Sequence, residues 1–441
     1  MKHRYLTVFL ILLLPFGLSI KAQSTEVPPI DLGRAIELTL QNQPVIRQAE
    51  KQVEAAGARV NQANTFYSPN VEASASYFRI GPVPEFELPG GLSMAIAPEN
   101  NYDAHISLQH TLYDFGRRDA QTALAGSLKN TASDNVEVYK SNLTYQTIQV
   151  FYSILFLKES IRVKDQQLDN LSQHLQITEA RIKSGTATDF DLTTTQTRAA
   201  AVRTQRIDIQ NELQKQEITL RNLMGFKDSE PLNLKGELSY SDLMVNPDSL
   251  FNAAENQRNE MKLAKDAEET AARQKTAAGL TDMPSVAVAA NYGIKNGFEP
   301  NIYALRGNWA AGLVFRYPVY NGKRAVTLEE EAEANLESAK NHTRDVEQSI
   351  NAEIKRAVSD LKSAQEQVQT AHVQAEHAQK ALQRAELQYR DGIISNMDLL
   401  DVQTALTEAR LSELQVAYKN ILSGYLIKRA AGDRVWMTGA K

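Results

Sequence analysis

The sequence contains no cysteine among its 441 residues. Disulfides are therefore excluded, as is an amino-terminal lipid anchor on a cysteine, so burial and helix packing must hold the fold together. An excess of charge of one sign is also missing, because 48 basic and 53 acidic residues leave a formal net charge of −5. With no basic block and no zinc-type spacing, nucleic acid is not an expected partner.

Catalytic motifs are missing as well. The chain has seven scattered histidines and no metalloprotease, serine-hydrolase or phosphate-loop motif. The sequence therefore predicts a protein that is not an enzyme and that uses no cofactor.

Long hydrophobic runs are confined to the amino terminus. The run from Leu6 to Leu14 follows a basic start and is followed by small residues around Ala22, a pattern that predicts a secretory signal peptide over residues 1–22. A membrane anchor helix is the alternative, but the run is short for a span. No later apolar stretch approaches twenty residues, so the exported chain is expected to be either soluble or a β-barrel.

The chain repeats itself. At a constant separation of 207 positions, the following residues match: Gly185 with Gly392, Asp191 with Asp398, Leu192 with Leu399, and Gln196 with Gln403. A period near 200 residues is too long for a solenoid unit and indicates a duplicated half-protein. The predicted segments are the signal peptide (1–22), a first repeat (23–225), a linker (226–247), a second repeat (248–432) and a tail (433–441).

Each repeat is predicted to contain three helical stretches, rich in Ala, Gln, Glu, Lys, Leu and Arg and poor in Gly and Pro. The predicted ranges are 44–66, 117–183 and 188–224 in the first repeat, and 248–279, 323–390 and 396–430 in the second. A helix of ~65 residues is about 100 Å long, which no compact domain contains. The narrow apolar face along 346–368 suits paired helices around a wet lumen.

Four short strands are predicted near 70–80, 103–113, 285–293 and 308–317. Apolar and polar residues alternate in each, and aromatic residues gather at the strand ends. Such a pattern is typical of a transmembrane barrel strand, but an ordinary antiparallel sheet on a core would look the same locally. The long helices favour the barrel because they offer no compact apolar face to cover a sheet.

Four strands cannot close a barrel, and an open edge in lipid leaves backbone groups without hydrogen bonds. A membrane sheet of this size therefore requires several chains. Eight strands leave an interior filled by side chains, whereas a conduit needs more. Twelve strands from three chains, a homotrimer, meet that requirement.

Several short motifs carry a family resemblance. They are Ile30–Glu37 followed by Gln43-Pro44, the turns at 113–118 and 320–324, the Gly-then-Asp-Leu turns at 185–192 and 392–399, and the ends Leu223-Met-Gly225 and Ala430-Ala-Gly432. In this order and in duplicate they resemble the outer membrane efflux protein family, the TolC-like channels. The resemblance covers nearly all of the chain that follows the signal peptide.

The resemblance implies a mainly α fold with a membrane β-barrel. Duplicated long α-helical hairpins would form a periplasmic α-barrel, four strands per chain would complete a 12-stranded barrel in a homotrimer, and the linker 226–247 and the tail would form a small equatorial part. It also implies a passive outer-membrane exit duct for a tripartite efflux pump or a type I secretion system. Its partners would be a periplasmic adaptor, which is a membrane fusion protein, an inner-membrane RND or ABC transporter, and outer-membrane lipid.

Asp398 and Asp401 match two aspartates that form acidic rings at the periplasmic entrance of family members. Residues three apart share a helix face, and three-fold symmetry would place six carboxylates around a narrow opening, where they attract cations. The alternative is helix-start chemistry, with Asn396 as the N-cap and carboxylates near the helix dipole.

Asp191 corresponds to a family gate aspartate that pairs with an arginine in some relatives, and Tyr389 matches a gate tyrosine. This chain has Ile394 at the arginine position, so that link is either absent or replaced by another contact, with Arg390, Lys183 and Arg181 as candidates.

The turns carrying Gly185, Thr186, Gly392 and Ile393 are expected to dock the adaptor; the alternative is a plain inter-helix turn. The Gly/Pro-rich stretch 81–100 is expected to be an external loop that partly covers the pore or is mobile. A rival for the whole chain is a periplasmic coiled-coil structural protein with a small β cap.

Overall fold

A computed structural model describes residues 29–227, 232–239 and 245–433. The predicted signal peptide, parts of the linker and all of the tail but its first residue lie outside this range. The helices are α1 (Leu32–Asn42), α2 (Pro44–Asn64), α3 (Arg117–Lys183), α4 (Asp189–Met224), α5 (Pro247–Gln257), α6 (Asn259–Gly279), α7 (Arg324–Arg390) and α8 (Asn396–Ala430). The strands are β1 (Asn70–Arg79), β2 (Glu85–Leu88), β3 (Leu92–Ala95), β4 (Asn100–Tyr113), β5 (Ser285–Lys295) and β6 (Arg306–Arg316).

The fold is mainly α-helical, as predicted, and two helices dominate it. Both α3 and α7 contain 67 residues, which at 1.5 Å per residue makes each about 100 Å long. Each turns back into a shorter partner, so that α3–α4 and α7–α8 are antiparallel hairpins. No helix in the described parts of the chain has the length and apolarity needed to cross a membrane.

The packing of α7 follows a seven-residue repeat. Two series of inward-facing residues run down it, one from Ile350 through Ala357, Ala364, Ala371 and Ala378 to Ala385, the other from Ile354 through Leu361, Val368, Ala375 and Leu382 to Tyr389. A period of 3.5 residues keeps one stripe facing a partner helix in a left-handed supercoil. The many alanines allow close approach, and the second series ends on a tyrosine at the helix terminus.

The corresponding stripe of α3 is largely polar near its carboxyl end. Its inward-facing residues are Leu157, Ser160, Lys164, Gln167, Leu171, His174 and Thr178, and all seven are buried. Buried polar groups need hydrogen-bond partners. The lower part of α3 is therefore held to its neighbours by specific polar contacts as well as by apolar burial.

Two apolar clusters, one in each repeat, stabilise the ends of the hairpins that are distant from the turns at 184–188 and 391–395. The first surrounds Phe151 and Ile154 of α3 and includes Met224 of α4. The second surrounds Ile354 and Leu361 of α7, together with parts of α5, α6 and α8. Part of the predicted linker is fixed to the first cluster, because the amide of Ile30 donates to the carbonyl of Asn233 at 2.7 Å and Lys235 donates back to Ile30 at 3.0 Å.

The start of each repeat contains two helices where the sequence predicts one. The helix at 248–279 is interrupted at Arg258, whose backbone is extended. The guanidinium of Arg258 is buried against Glu260 at 3.1 Å and Glu353 at 2.5 Å, and the backbone of Gly432 packs on residues 257 and 258. The break therefore comes from tertiary contacts, which no Gly or Pro in the sequence signals. The first repeat has the separate helix α1 before the predicted start at Pro44.

Strands β1, β4, β5 and β6 form one antiparallel sheet in that order. The register places Ala73, Ile106, Tyr292 and Trp309 in one row across the four strands. The predicted alternation thus becomes a single apolar face, with polar residues such as Glu72 and Ser107 opposite. Within the described chain β1 and β6 each pair with one strand only, so both outer edges carry free backbone donors and acceptors.

The stretch 81–100, which is expected to be an external loop, contains regular secondary structure in its central part. Strands β2 and β3 form a hairpin there, with Phe86 opposite Met94. The turn uses Gly90 and Gly91, whose φ values of 116° and 83° favour glycine. The alternation of acidic and apolar residues in β2 is the signal that the glycines and prolines obscured.

An acidic pair lies between α3 and α6, where the two repeats pack together. The carboxylate of Asp134 is almost fully buried and accepts from the Lys262 ammonium at 2.7 Å. A hydrogen bond with Asp134, followed by burial, raises the pKa of Asp266 to about 6. The two carboxyl groups therefore share a proton below that pH.

Replacing Asp266 by Asn should change the pH dependence of stability. Because the folded protein holds the Asp266 proton more tightly than the unfolded chain, the wild type gains stability as the pH falls through about 6 and loses it above. An asparagine supplies a permanent donor, so Asp266→Asn should be more stable than wild type at pH 8, by about 1 kcal/mol after allowance for solvent screening. Thermal unfolding followed by circular dichroism at pH 8 and pH 5 measures the difference. The exposed Glu331→Gln on α7 serves as control, and an unchanged pH dependence in Asp266→Asn would contradict this assignment.

Candidate functional site

The two helical hairpins end in closely similar turns, at residues 184–188 and 391–395. Gly185 and Gly392 follow the ends of α3 and α7 with φ values of 75° and 77°, a left-handed conformation that favours glycine. The amide of Thr186 donates to the carbonyl of Arg181 at 2.9 Å, and Ile393 donates to Gln388 at 2.8 Å. The side chains of both turns are mostly exposed.

Asp191 and Asp398 both stabilise the helix that follows their turn. Asp398 accepts from the amide and hydroxyl of Ser395 at 2.9 and 2.7 Å, while its own amide donates to the Ser395 hydroxyl. Thr188 and Asp191 form the same capping box at the start of α4. The hydrogen bonds from Ser395 lower the pKa of Asp398, so this carboxylate is charged at neutral pH.

The expected N-cap of α8 needs correction. Ser395 is the N-cap residue, and Asn396 is the first residue of the helix, with a buried side chain. Asp401 lies one turn after Asp398 and is mostly exposed. It pairs with Arg198 of α4 at 3.3 Å. The two aspartates of the predicted ring therefore have different surroundings, one in a cap and one in a contact between hairpins.

Arg181, at the end of α3, joins the two hairpins. Its guanidinium lies over the ring of Tyr389, 4.5 Å from the centroid. It also donates to the backbone carbonyls of Tyr389 and Arg390 at 3.0 and 2.9 Å. These carbonyls belong to the last turn of α7, which lacks intrahelical donors and carries the negative end of the helix dipole.

Ile394, at the position where the family resemblance implies an arginine, takes part in apolar packing. It lies against the cluster that contains Leu382, Tyr389 and Leu399. The carboxylate of Asp191 accepts hydrogen bonds from the amide and the hydroxyl of Thr188. Of the three basic residues suggested as replacements, Arg181 is the one that contacts Tyr389.

His174 and Asn396 complete the contact between the hairpins. The Nε2 atom of His174 lies 2.6 Å from Oδ1 of Asn396, and the imidazole meets the Tyr389 ring edge-on at 5.0 Å. The Asn396 amide donates to the Asp191 carbonyl at 3.2 Å and to the Thr195 hydroxyl at 3.4 Å. Burial lowers the pKa of His174, and the hydrogen bond with Asn396 opposes that shift. We call His174, Arg181, Tyr389 and Asn396 the tip cluster.

Sequence reasoning identified Tyr389 and considered Arg181, but it missed His174 and assigned Asn396 a different role. The internal repeat contains a signal for them. At the same separation of 207 positions, the following residues correspond: His174 to Ala381, Tyr389 to Ile182, and Asn396 to Asp189. A buried polar residue in one repeat that is absent from the other indicates a contact made once per chain, between the repeats.

Comparison with known proteins identifies the family of the chain. The family model described as outer membrane efflux protein matches residues 35–226 and 250–424. The pyoverdine export outer membrane protein OpmQ of Pseudomonas putida is 24% identical over 347 residues, which cover 75% of this chain and 70% of OpmQ. The outer membrane protein TolC of Salmonella enteritidis is 20% identical over 425 residues, covering 94% of this chain and 84% of TolC.

Solved structures share the fold. The crystal structure of CusC aligns with a TM-score of 0.78 at 17% identity, over 91% of this chain and 92% of CusC. The outer membrane protein VceC of Vibrio cholerae aligns with a TM-score of 0.76 at 19% identity, over 91% and 96% of the two chains. These matches confirm the resemblance drawn from the motifs. The chain belongs to the outer membrane efflux protein family and is an outer-membrane protein with the TolC-like channel fold.

Proposed function

We propose that this chain is the subunit of a homotrimeric exit duct that completes a tripartite efflux pump and passively exports small molecules. The duct would receive its cargo through a periplasmic adaptor from an inner-membrane transporter of the RND or ABC class. Family membership supports the efflux role, and one relative is named for the export of pyoverdine, a small molecule. A type I protein secretion channel is the alternative, since the same duct architecture would serve it.

The observation that carries the proposal is the four-stranded sheet, which has one apolar face and two edges that no other described strand pairs with. On β6 the side chains of Trp309, Leu313 and Phe315 are 75%, 72% and 67% exposed. Such a large exposed apolar surface is unfavourable in water and marks a contact surface. Lipid would cover this face, and neighbouring copies would pair the edges. Three copies give twelve strands, which leaves room for a conduit.

The gate would lie at the hairpin tips. In a trimer, three copies of Asp398 and Asp401 would surround the periplasmic opening, where confined like charges attract multivalent cations. The contact between Arg181 and Tyr389 would hold the α7–α8 hairpin against α3–α4 in the closed state. Asp191 would support this arrangement by capping α4 beside Asn396.

The adaptor would dock on the two tip turns, at Gly185, Thr186, Gly392 and Ile393. Apolar side chains are exposed there, with Ile393 at 69% and Phe190 of the adjacent helix at 72%. Exposed apolar residues surrounded by polar ones mark contact surfaces. The duplicated turns would offer six docking sites in a trimer.

Conductance separates this proposal from a periplasmic coiled-coil structural protein. In cells, the protein should fractionate with outer membranes. The purified protein should form discrete ion-conducting channels in planar bilayers. Deletion of the chain should also sensitise cells to small toxic compounds. A protein that stays in the periplasmic fraction and gives no conductance would contradict the proposal.

Replacing Arg181 by Ala should open the channel. The change removes a cation–π contact and two hydrogen bonds, together about 2 kcal/mol, which would shift the closed–open equilibrium roughly 30-fold per subunit. Single-channel recording should show higher mean conductance than wild type. Arg162→Ala is the matched control, because Arg162 is 80% exposed on the same helix and pairs only with Glu159 in the described structure. Equal conductance in Arg181→Ala and wild type would rule out the holding role of Arg181.

The double variant Asp398→Asn/Asp401→Asn should weaken block by multivalent cations applied from the periplasmic side. Removing six charges from a narrow opening should raise the blocking concentration at least about tenfold. Asp191→Asn is a close control, since it alters an equivalent capping box and leaves the pair at 398 and 401 unchanged. If both proteins are blocked at the same concentration, the acidic ring is not at these residues.

A further inference from the structure

His174 is a nearly fully buried histidine, 3% exposed, at the point where both hairpins meet. We propose that it is a positioning residue that makes closure of the tips depend on pH: neutral His174 holds α7–α8 against α3–α4, and acid releases this contact. The inference rests on the proposed gate and adds a means of regulating it.

The hydrogen-bond geometry joins three helices through this one side chain. His174 of α3 donates from Nε2 to the Asn396 carbonyl oxygen of α8, and Asn396 in turn donates to α4 at the Asp191 carbonyl and the Thr195 hydroxyl. The imidazole also packs on the ring of Tyr389, which belongs to the fourth helix, α7. A change in the charge of His174 therefore acts on every helix of both hairpin tips.

The charged and titratable groups around His174 come from each packed element. Arg181 on its own helix opposes protonation, and Asp191 on α4 favours it. Helix α7 contributes the Tyr389 phenol ring, and α8 contributes the neutral Asn396 amide. Among the described residues no carboxylate lies within ion-pair distance of the imidazole, so a protonated ring would be a buried cation without a counterion.

Protonation would leave the hydrogen bond to Asn396 in place, because Nε2 donates in both forms. The penalty would come from burial of the charge and from repulsion by Arg181. An exposed histidine has a pKa near 6.5, and the closed tip lowers it. The closed state is therefore fully stable above this pH and weakens as the pH falls below it, by up to about tenfold per subunit for each pH unit until the lowered pKa is reached.

The chain offers a matched control in His372 of α7. Its side chain is 62% exposed and lies 2.8 Å from Glu413, a contact that raises the pKa of His372. Acid therefore strengthens the pairing of His372 and weakens the packing of His174. Substituting either histidine by glutamine removes one titration at a similar side-chain size.

The test is single-channel recording of the full trimer in planar bilayers between pH 8 and pH 5. Wild type and His372→Gln should open increasingly below pH 6.5. His174→Gln should stay closed over this range, because its amide can donate to Asn396 without becoming charged. Asn396→Asp places a carboxylate beside the ring, so this variant should close more firmly in acid. Amide hydrogen exchange at residues 389–398, corrected for the intrinsic effect of pH, should rise in acid for wild type and His372→Gln and should not rise for His174→Gln.

The outcomes are separable. If His174→Gln keeps the wild-type pH response, or if Asn396→Asp still opens in acid, the proposal is wrong. If His174→Gln is open at every pH, that result alone does not separate a structural role of His174 from a pH-sensing role. The response of Asn396→Asp then decides: closure in acid supports pH sensing, and opening in acid contradicts it. A protein that never conducts would overturn the proposed function, and the exchange measurement would still confirm or reject acid release of the tips.

Discussion

The two edges of the four-stranded sheet, which pair with no other described strand, are the constraint on which the whole architecture depends. A backbone amide or carbonyl that faces hydrocarbon without a partner costs several kcal/mol, and β1 and β6 each carry a row of them. In the proposed duct, the apolar face formed by rows such as Ala73, Ile106, Tyr292 and Trp309 would lie in lipid, where water cannot supply the missing hydrogen bonds. One chain therefore cannot be the functional unit of the proposed duct.

The long helices also have too little apolar surface to be buried on all sides. Their apolar stripes are narrow, so each helix can bury only one side, and the remaining polar surface must face water on either side of a wall. In α7 the stripe is regular and alanine-rich, which fits close pairing with α8. In α3 the stripe turns polar towards the tip, where Lys164, Gln167 and His174 are buried. Apolar burial stabilises the ends of the hairpins that are distant from the tips. At the tips, polar contacts act together with the packing of Leu400 on Leu171 and Val202.

Duplication explains how such a tip could evolve a gate. Both turns preserve the glycine and the capping box, so both hairpins end alike. The contacts that join them are unlike, because Arg181 and His174 come from the first repeat while Tyr389 and Asn396 come from the second. In the proposed gate, the two hairpins would separate from each other at these contacts.

Much of the fold could be predicted from the sequence because its signals are local and repeated. Propensity and the scarcity of Gly and Pro defined α3 and α7 to within one residue, and alternation identified the four main strands. The break at Arg258 could not be predicted, since buried ion pairs and a close approach by Gly432 produce it. The tip cluster depends on contacts between residues about 200 positions apart, which neither propensity nor periodicity reports. Asn396 was assigned as a cap because the sequence does not show that Ser395 takes that role and that the asparagine side chain is buried.

Cross-linking of the sheet edges tests the central claim most directly, and the absence of native cysteine makes it clean. A cysteine at Ala75 on β1 would be combined with single cysteines scanned along β6, and the oxidised protein separated on a denaturing gel. Pairing of β1 with β6 of a neighbouring copy predicts, for some position on β6, a ladder of covalent species that ends at three chains. A ladder that ends at two or continues beyond three, or the absence of cross-links at every position, would contradict a closed twelve-stranded sheet.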